Sequence, residues 1–187
     1  MKRYSTPLSD EDLASIVESL LEGALAILPT DTLYGFHADA QNLDTIERVY
    51  RIKERRTPMS VIAPSFEWFE ANTALENPSY FKEKYSGPYT LLSPISSNCR
   101  LPNVLVSTGL VGVRFCGGLS ADLAERMDRP LITTSVNVTG SPPLTHPDAL
   151  DSGISRRVDI LIDDGPRTKG ASTLVDCRQT PEKLIKR

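Results

Sequence analysis

A mixed α/β fold, a twisted sheet with flanking helices, is what this sequence predicts, and three observations predict it. Short apolar runs of strand length, such as 24–28 and 158–162, alternate with segments whose apolar residues recur at helical spacing. The helical segments are unevenly spaced, which favours a sheet of mixed direction over regular parallel units. Glycine and proline punctuate the joins, as at Gly23 and Gly87-Pro88. A chain of 187 residues suits one domain over 1–187, long enough to bury roughly 70% of the surface its unfolded form exposes.

The elements follow in order. Ser9 caps a helix carrying Leu13, Ile16, Val17, Leu20 and Leu21 on one face, and Gly23 can end it. A strand over 24–28 follows. Asn42 caps a second helix with Ile46, Val49 and Tyr50 as its apolar face and Lys53 in its last turn, which aims Lys53 and Arg55 away from the core. Strands are expected at 59–63, 89–92, 111–115, 131–134, 158–162 and 173–177, and helices at 66–71, 79–85 and 122–127. The polar stretch 163–170 reads as a mobile loop.

Composition limits the function. With 21 basic and 24 acidic residues and a formal charge of −3, bulk electrostatics do not hold this chain on nucleic acid, so any cationic site is concentrated. Cys99, Cys116 and Cys177 are odd in number and lack C-x-x-C spacing, which indicates neither a disulfide framework nor a zinc site and fits reduced, cytoplasmic thiols. Residues 1–7 lead into no apolar signal segment, and no run approaches the ~18 apolar residues of a membrane helix. A soluble protein with no membrane partner is expected. Asn137-Val138-Thr139 matches a glycosylation sequon, which without a secretory signal is read as chance. The lone His37 and His146 are read as structural, and Ser135 lacks the G-x-S-x-G setting of a hydrolase nucleophile.

Two segments carry the chemistry. Pro29-Thr30-Asp31-Thr32-Leu33-Tyr34-Gly35 and Thr133-Thr134-Ser135-Val136-Asn137-Val138-Thr139-Gly140 each follow an apolar run. Both read as hydroxyl-bearing turns at strand ends, where open α/β sheets place ligands. Lys53-Glu54-Arg55-Arg56 lies between them. Hydroxyls, a carboxamide and fixed cations, with no covalent nucleophile, suit a polyanion such as a nucleotide. Residue by residue, plainer readings exist: cations complementing a helix C-terminus, threonines and serines in turn chemistry, and Arg114 in a surface ion pair.

Taken together, Pro-Thr-Asp-Thr-Leu-Tyr-Gly, Lys-x-Arg at 53–55 and Ser-x-Asn at 135–137 resemble the YrdC-like threonylcarbamoyl-AMP synthases. Gly87-Pro88-Tyr89-Thr90, Gly112-Val113-Arg114 and Ser172-Thr173-Leu174-Val175-Asp176 extend the resemblance from about Ala24 to Asp176. It implies a YrdC-like domain that makes threonylcarbamoyl-adenylate and pyrophosphate from L-threonine, bicarbonate and ATP, with magnesium accompanying ATP. The product is the activated intermediate for modifying an adenosine in tRNA, which implies a downstream tRNA-modifying transferase and leaves contact with RNA open.

By that resemblance Lys53, Arg55, Asn137, Thr145 and Arg187 bind ATP, while Thr30, Thr32, Arg114, Ser135 and Ser172 bind threonine. No residue acts as a covalent catalyst and none ligates a metal directly. Only Arg56-Thr57 separates Lys-x-Arg from Pro58-Met59, fewer residues than the family usually has, so contacts of that loop are not carried over. Two other classes compete: a non-catalytic RNA-binding module, and the related domain of hydrogenase-maturation carbamoyltransferases, which carry further domains and zinc-finger cysteines.

Overall fold

The computed structural model describes residues 1–186. Its strands in chain order are β1 (Lys2–Ser5), β2 (Ala26–Pro29), β3 (Tyr34–Asp39), β4 (Ser60–Ile62), β5 (Tyr89–Pro94), β6 (Leu110–Arg114), β7 (Leu131–Ser135), β8 (Ile160–Asp163), β9 (Thr173–Asp176) and β10 (Lys183–Ile185). They form one sheet in the order β1-β8-β2-β3-β7-β4-β6-β5-β9-β10. Parallel pairs (β1 with β8, β8 with β2, β4 with β6, β5 with β9) mix with antiparallel ones, so the expected mixed sheet is observed.

The helices are α1 (Asp10–Leu21), α2 (Leu43–Lys53), α3 (Phe66–Asn72), α4 (Pro78–Lys84), α5 (Asn103–Val106), α6 (Leu119–Met127) and α7 (Ser152–Ser155). Their ends follow from local chemistry. Ser9 and Asp12 form a capping box on α1, and three acidic residues in its first turn complement the helix dipole. Gly23, at φ 96°, takes the left-handed turn out of α1 that a side chain would resist. Asn42 accepts the Thr45 amide at 3.0 Å to start α2.

Both faces of the sheet carry helices over most of their extent, and the two-residue alternation of the strands sorts side chains between them. Leu25, Ile27, Phe36, Val61, Val113 and Ile132 face α2, α3 and α5, joining Ile46, Val49, Ile52, Phe69 and Leu105 in one core. Ala26, Leu28, Ile62, Leu131, Ile160 and Ile162 face the other way, onto Ile16 and Leu20 of α1 and Leu123, Ala124 and Met127 of α6.

β1, β3, β10, α5 and α7 were not expected from the sequence. α6 begins at Leu119 rather than Asp122, from an N-cap at Gly118 that makes no side-chain cap bond. The stretch 163–170, expected to be mobile, is pinned in its first half. Tyr34 Oη donates to the Gly165 carbonyl at 2.7 Å and accepts the Asp164 amide at 3.0 Å. The Arg167 amide reaches the Thr145 carbonyl at 2.7 Å, and Arg3 pairs with Asp163 at 2.6 Å.

Candidate functional site

β3 and β7 pair antiparallel with Gly35 opposite Ser135. The start of β3 carries the Thr30–Thr32 turn and the end of β7 carries the Ser135–Gly140 loop, so this one register brings the two sequence segments together. Between them opens a cleft of about 470 Å³ lined by Thr30, Thr32, Gly35, Lys53, Arg55, Ser60, Thr90, Arg114, Thr133, Ser135, Asn137 and Ser172, among others.

The two loops lie at strand ends, as expected, and the cleft extends from them over the face of the sheet. Gly35, Thr133, Ser60, Gly112 and Thr90 belong to the same alternation set as Leu28, Leu131 and Ile62, which α1 and α6 cover. Where helices cover this face it is mainly apolar, with His37 and Asp39 as buried polar members of the same set; beside them it is hydroxyl, glycine and Arg114. A Cβ on Gly112 would meet Ser60 Oγ at 2.9 Å and Thr90 Cγ2 at 3.2 Å, and one on Gly35 would meet His37 Cε1 at 2.8 Å. The two glycines keep the floor low. Ser60 is a floor residue that was not singled out, and Thr90 and Thr133 stand in quoted motifs without a role assigned; the available signal was a small polar residue inside an otherwise apolar strand.

The threonine turn is internally bonded. Thr30 Oγ1 lies 2.9 Å from Thr32 Oγ1, donates to the Leu33 carbonyl at 2.7 Å, and accepts the Thr32 amide at 3.1 Å. The buried Arg114 reaches from β6 to Asp31 in this turn, and its Nε donor has no hydrogen-bond partner among the described residues. Arg114 is thus a buried ion-pair member, not the surface pair considered above. Ser172 is buried with Thr90 at 2.8 Å.

Lys53 departs most from expectation. Instead of pointing into solvent, Nζ turns into the molecule and donates to the Ser135 carbonyl at 2.7 Å and Asn137 Oδ1 at 2.9 Å. Ser135 Oγ donates to the same Oδ1 at 2.8 Å, and Asn137 Nδ2 donates to the Ser141 carbonyl at 2.7 Å. Burial, assisted by the neighbouring Arg55 charge, pulls the Lys53 ammonium down to about 8. Arg55 follows the left-handed Glu54 (φ 52°) and stays exposed on the rim.

Thr145 lies outside the cleft, in an adjoining cavity with Leu144, Leu150 and Ile154 that shares Asn137 with it. Arg187 lies outside the described residues. His37, completely buried with its ring beside Gly35 on the same face of the sheet, bonds the Gly35 carbonyl through Nδ1 at 2.9 Å, and burial drives it down to about 3. It is therefore neutral, as a structural histidine would be. Among the described residues, no group of three or more His, Cys, Asp or Glu could hold a metal ion. None of their helices is long and apolar enough to cross a membrane.

A mixed sheet bearing a polar cleft, with Lys53 and Arg55 on one side and an arginine–carboxylate pair on the other, defines an α/β protein whose cleft has the chemistry to suit a small anionic ligand. The chain belongs to the Sua5_yciO_yrdC family, described as "Telomere recombination", whose model matches residues 18–187. It is 30% identical over 175 residues, 88% of this chain, to a threonylcarbamoyl-AMP synthase of Pyrococcus abyssi. P. abyssi Sua5 complexed with L-threonine superposes on 98% of the chain with TM-score 0.86 and 25% identity. E. coli YciO shares the fold over 100% of this chain and 95% of its own, with TM-score 0.87 and 17% identity. The chain spans about half the length of the P. abyssi relatives, 50% of the synthase and 56% of the Sua5 chain.

Proposed function

We propose that this chain makes threonylcarbamoyl-adenylate and pyrophosphate from L-threonine, bicarbonate and ATP, supplying a transferase that modifies an adenosine in tRNA. The observation that carries the reading is the convergence of Lys-x-Arg, Ser-x-Asn and the Thr-x-Thr turn on one cleft, in a chain of this family. Threonine amine and bicarbonate give a carbamate with loss of water. A carbamate oxygen then bonds to the α-phosphorus of ATP as the bond to the bridging oxygen breaks, and pyrophosphate leaves with that electron pair. The attacking group comes from substrate, so the protein's part is alignment and charge neutralisation.

Lys53 and Arg55 then oppose the phosphates, Ser135 and Asn137 lie between nucleotide and threonine, and Thr145 is held for the nucleoside side. The free Nε–H of Arg114 is a donor for the threonine carboxylate, with Thr30, Thr32 and Ser172 around it. Arg187 is kept as a nucleotide candidate on resemblance alone. Magnesium enters as part of the substrate MgATP, on phosphate oxygens. The described residues offer no carboxylate cluster for a resident ion. We assign the activity to the cytoplasm.

The test is mass spectrometry for threonylcarbamoyl-adenylate, with pyrophosphate release measured as each substrate is omitted. Release should require both threonine and bicarbonate. Equal release without threonine would make the protein a generic ATPase and end this reading.

A further inference from the structure

The loop that carries Ser135 and Asn137 is tied to the end of α2 twice. Lys53 provides the first tie through its side chain. The second runs through its backbone: the Lys53 carbonyl, left without a helical partner at the end of α2, accepts the Thr139 amide at 3.2 Å and the Thr139 hydroxyl at 2.8 Å. Thr139 lines the cleft, and Gly140, at φ 91°, turns the chain directly after it. It is also the third residue of the sequon that the function left unexplained.

We propose that Thr139 is a positioning residue for the nucleotide. It fastens the α2 terminus to the loop after β7, so that Lys53, Ser135 and Asn137 meet the ligand as one preformed unit. The physical basis is preorganisation. Lys53 Nζ holds the Ser135 carbonyl and the Asn137 carboxamide only while the α2 terminus stays at a fixed distance from the loop, and the Lys53 carbonyl is the point at which that distance is set. Without the hydroxyl tie, the ligand must supply the ordering that Thr139 supplies beforehand, and affinity falls by that cost. The neighbouring threonine turn is bonded within itself and does not depend on this tie. The effect is therefore larger on the nucleotide than on threonine, which meets the unit only through Ser135 and Asn137. The inference rests on the nucleotide reading of the cleft.

Thr139→Val keeps the shape and the amide but removes the hydroxyl; Thr139→Ser keeps the hydroxyl. Calorimetric titration with ATP and, separately, L-threonine is compared with thermal unfolding and with amide hydrogen exchange over residues 135–141. For Thr139→Val we expect roughly a three- to tenfold rise in the ATP Kd, the scale of one lost hydrogen bond, with a smaller loss of threonine affinity, only a small fall in Tm and faster exchange in the loop. Thr139→Ser should return the ATP Kd to within about twofold of the starting protein.

Unchanged ATP affinity in Thr139→Val overturns the proposal, as does an equal loss for both ligands or a large fall in Tm. If the unaltered protein binds no ATP, the nucleotide reading fails. Hydrogen exchange then decides the tie itself, and unchanged exchange over 135–141 in Thr139→Val overturns it.

Discussion

One face of the sheet is two surfaces. Under α1 and α6 it presents Ala26, Leu28, Ile62, Leu131, Ile160 and Ile162; beside them, in the same alternation set, it presents Gly35, Thr133, Ser60, Gly112 and Thr90. Strand β7 crosses the boundary, with Leu131 packed in the core and Thr133 and Ser135 in the cleft. The backbone is equally regular on both sides. What differs is whether a helix lies above, so the cleft is a helix-free stretch of sheet whose floor is small and polar, with Arg114 in the same alternation set.

The sharpest way to break that comparison is to damage the covered half. Leu123 of α6 is fully buried, and Leu123→Ala should cost about 2–5 kcal/mol of stability, as lost transfer free energy plus a cavity. Urea unfolding measures it. ATP affinity under conditions where the variant remains folded should be unchanged, and its loss there would mean that the two halves are not separable.

The uncovered half should respond the opposite way. Gly112→Val places atoms where Ser60 Oγ and Thr90 Cγ2 already lie 2.9 and 3.2 Å from a Cβ, raising the floor. Ligand affinity should fall at least about tenfold, or ~1.4 kcal/mol, with a stability change of about 1–3 kcal/mol from overpacking. A fall in stability with full ligand affinity would show that the floor does not touch the ligand.

The smallest expected effect concerns pH. Lys53 sits near 8 in the fold, below its ordinary value of 10.5, so the unfolded chain holds the extra proton between those values. Stability should therefore rise with pH across that window, because the cost of burying the charge is present below about 8 and is relieved above it. ATP affinity should move in the other direction, falling several-fold, on the order of 1 kcal/mol, as the ammonium is lost. Lys53→Met should flatten both profiles. Parallel rather than opposed profiles would mean that Lys53 only holds the loop.

Much of the fold was legible because both sheet faces are buried for most of their extent. The run 24–28 is short and wholly apolar, and the caps Ser9 and Asn42 announce α1 and α2. β3 escaped notice because Gly35, His37 and Asp39 interrupt its apolar pattern, although all its residues are buried. Two of those three belong to the site or its support. β10 is exposed and, at three residues, too short to leave a periodic signal.

Of the site, the motif residues were legible and the placement of several was not. Thr30, Thr32, Arg55, Arg114, Ser135, Asn137 and Ser172 line the cleft, but the position of Lys53 at a helix end suggested solvent. Its inward turn depends on carbonyls far away in sequence, at Ser135 and Asn137, which no local pattern encodes. Thr145 was grouped with the cleft but belongs to the adjoining cavity.

The pairing of Gly35 with Ser135 joins positions one hundred residues apart. Local helices can form early in such a chain, but a contact of that span gives nothing back until a long loop has been closed. The cleft is therefore a late property of the folding reaction. An intermediate with α1 and α2 already formed would have helical signal and buried apolar surface yet no binding site, and recovery of ligand affinity on refolding would time the closure of β3 on β7.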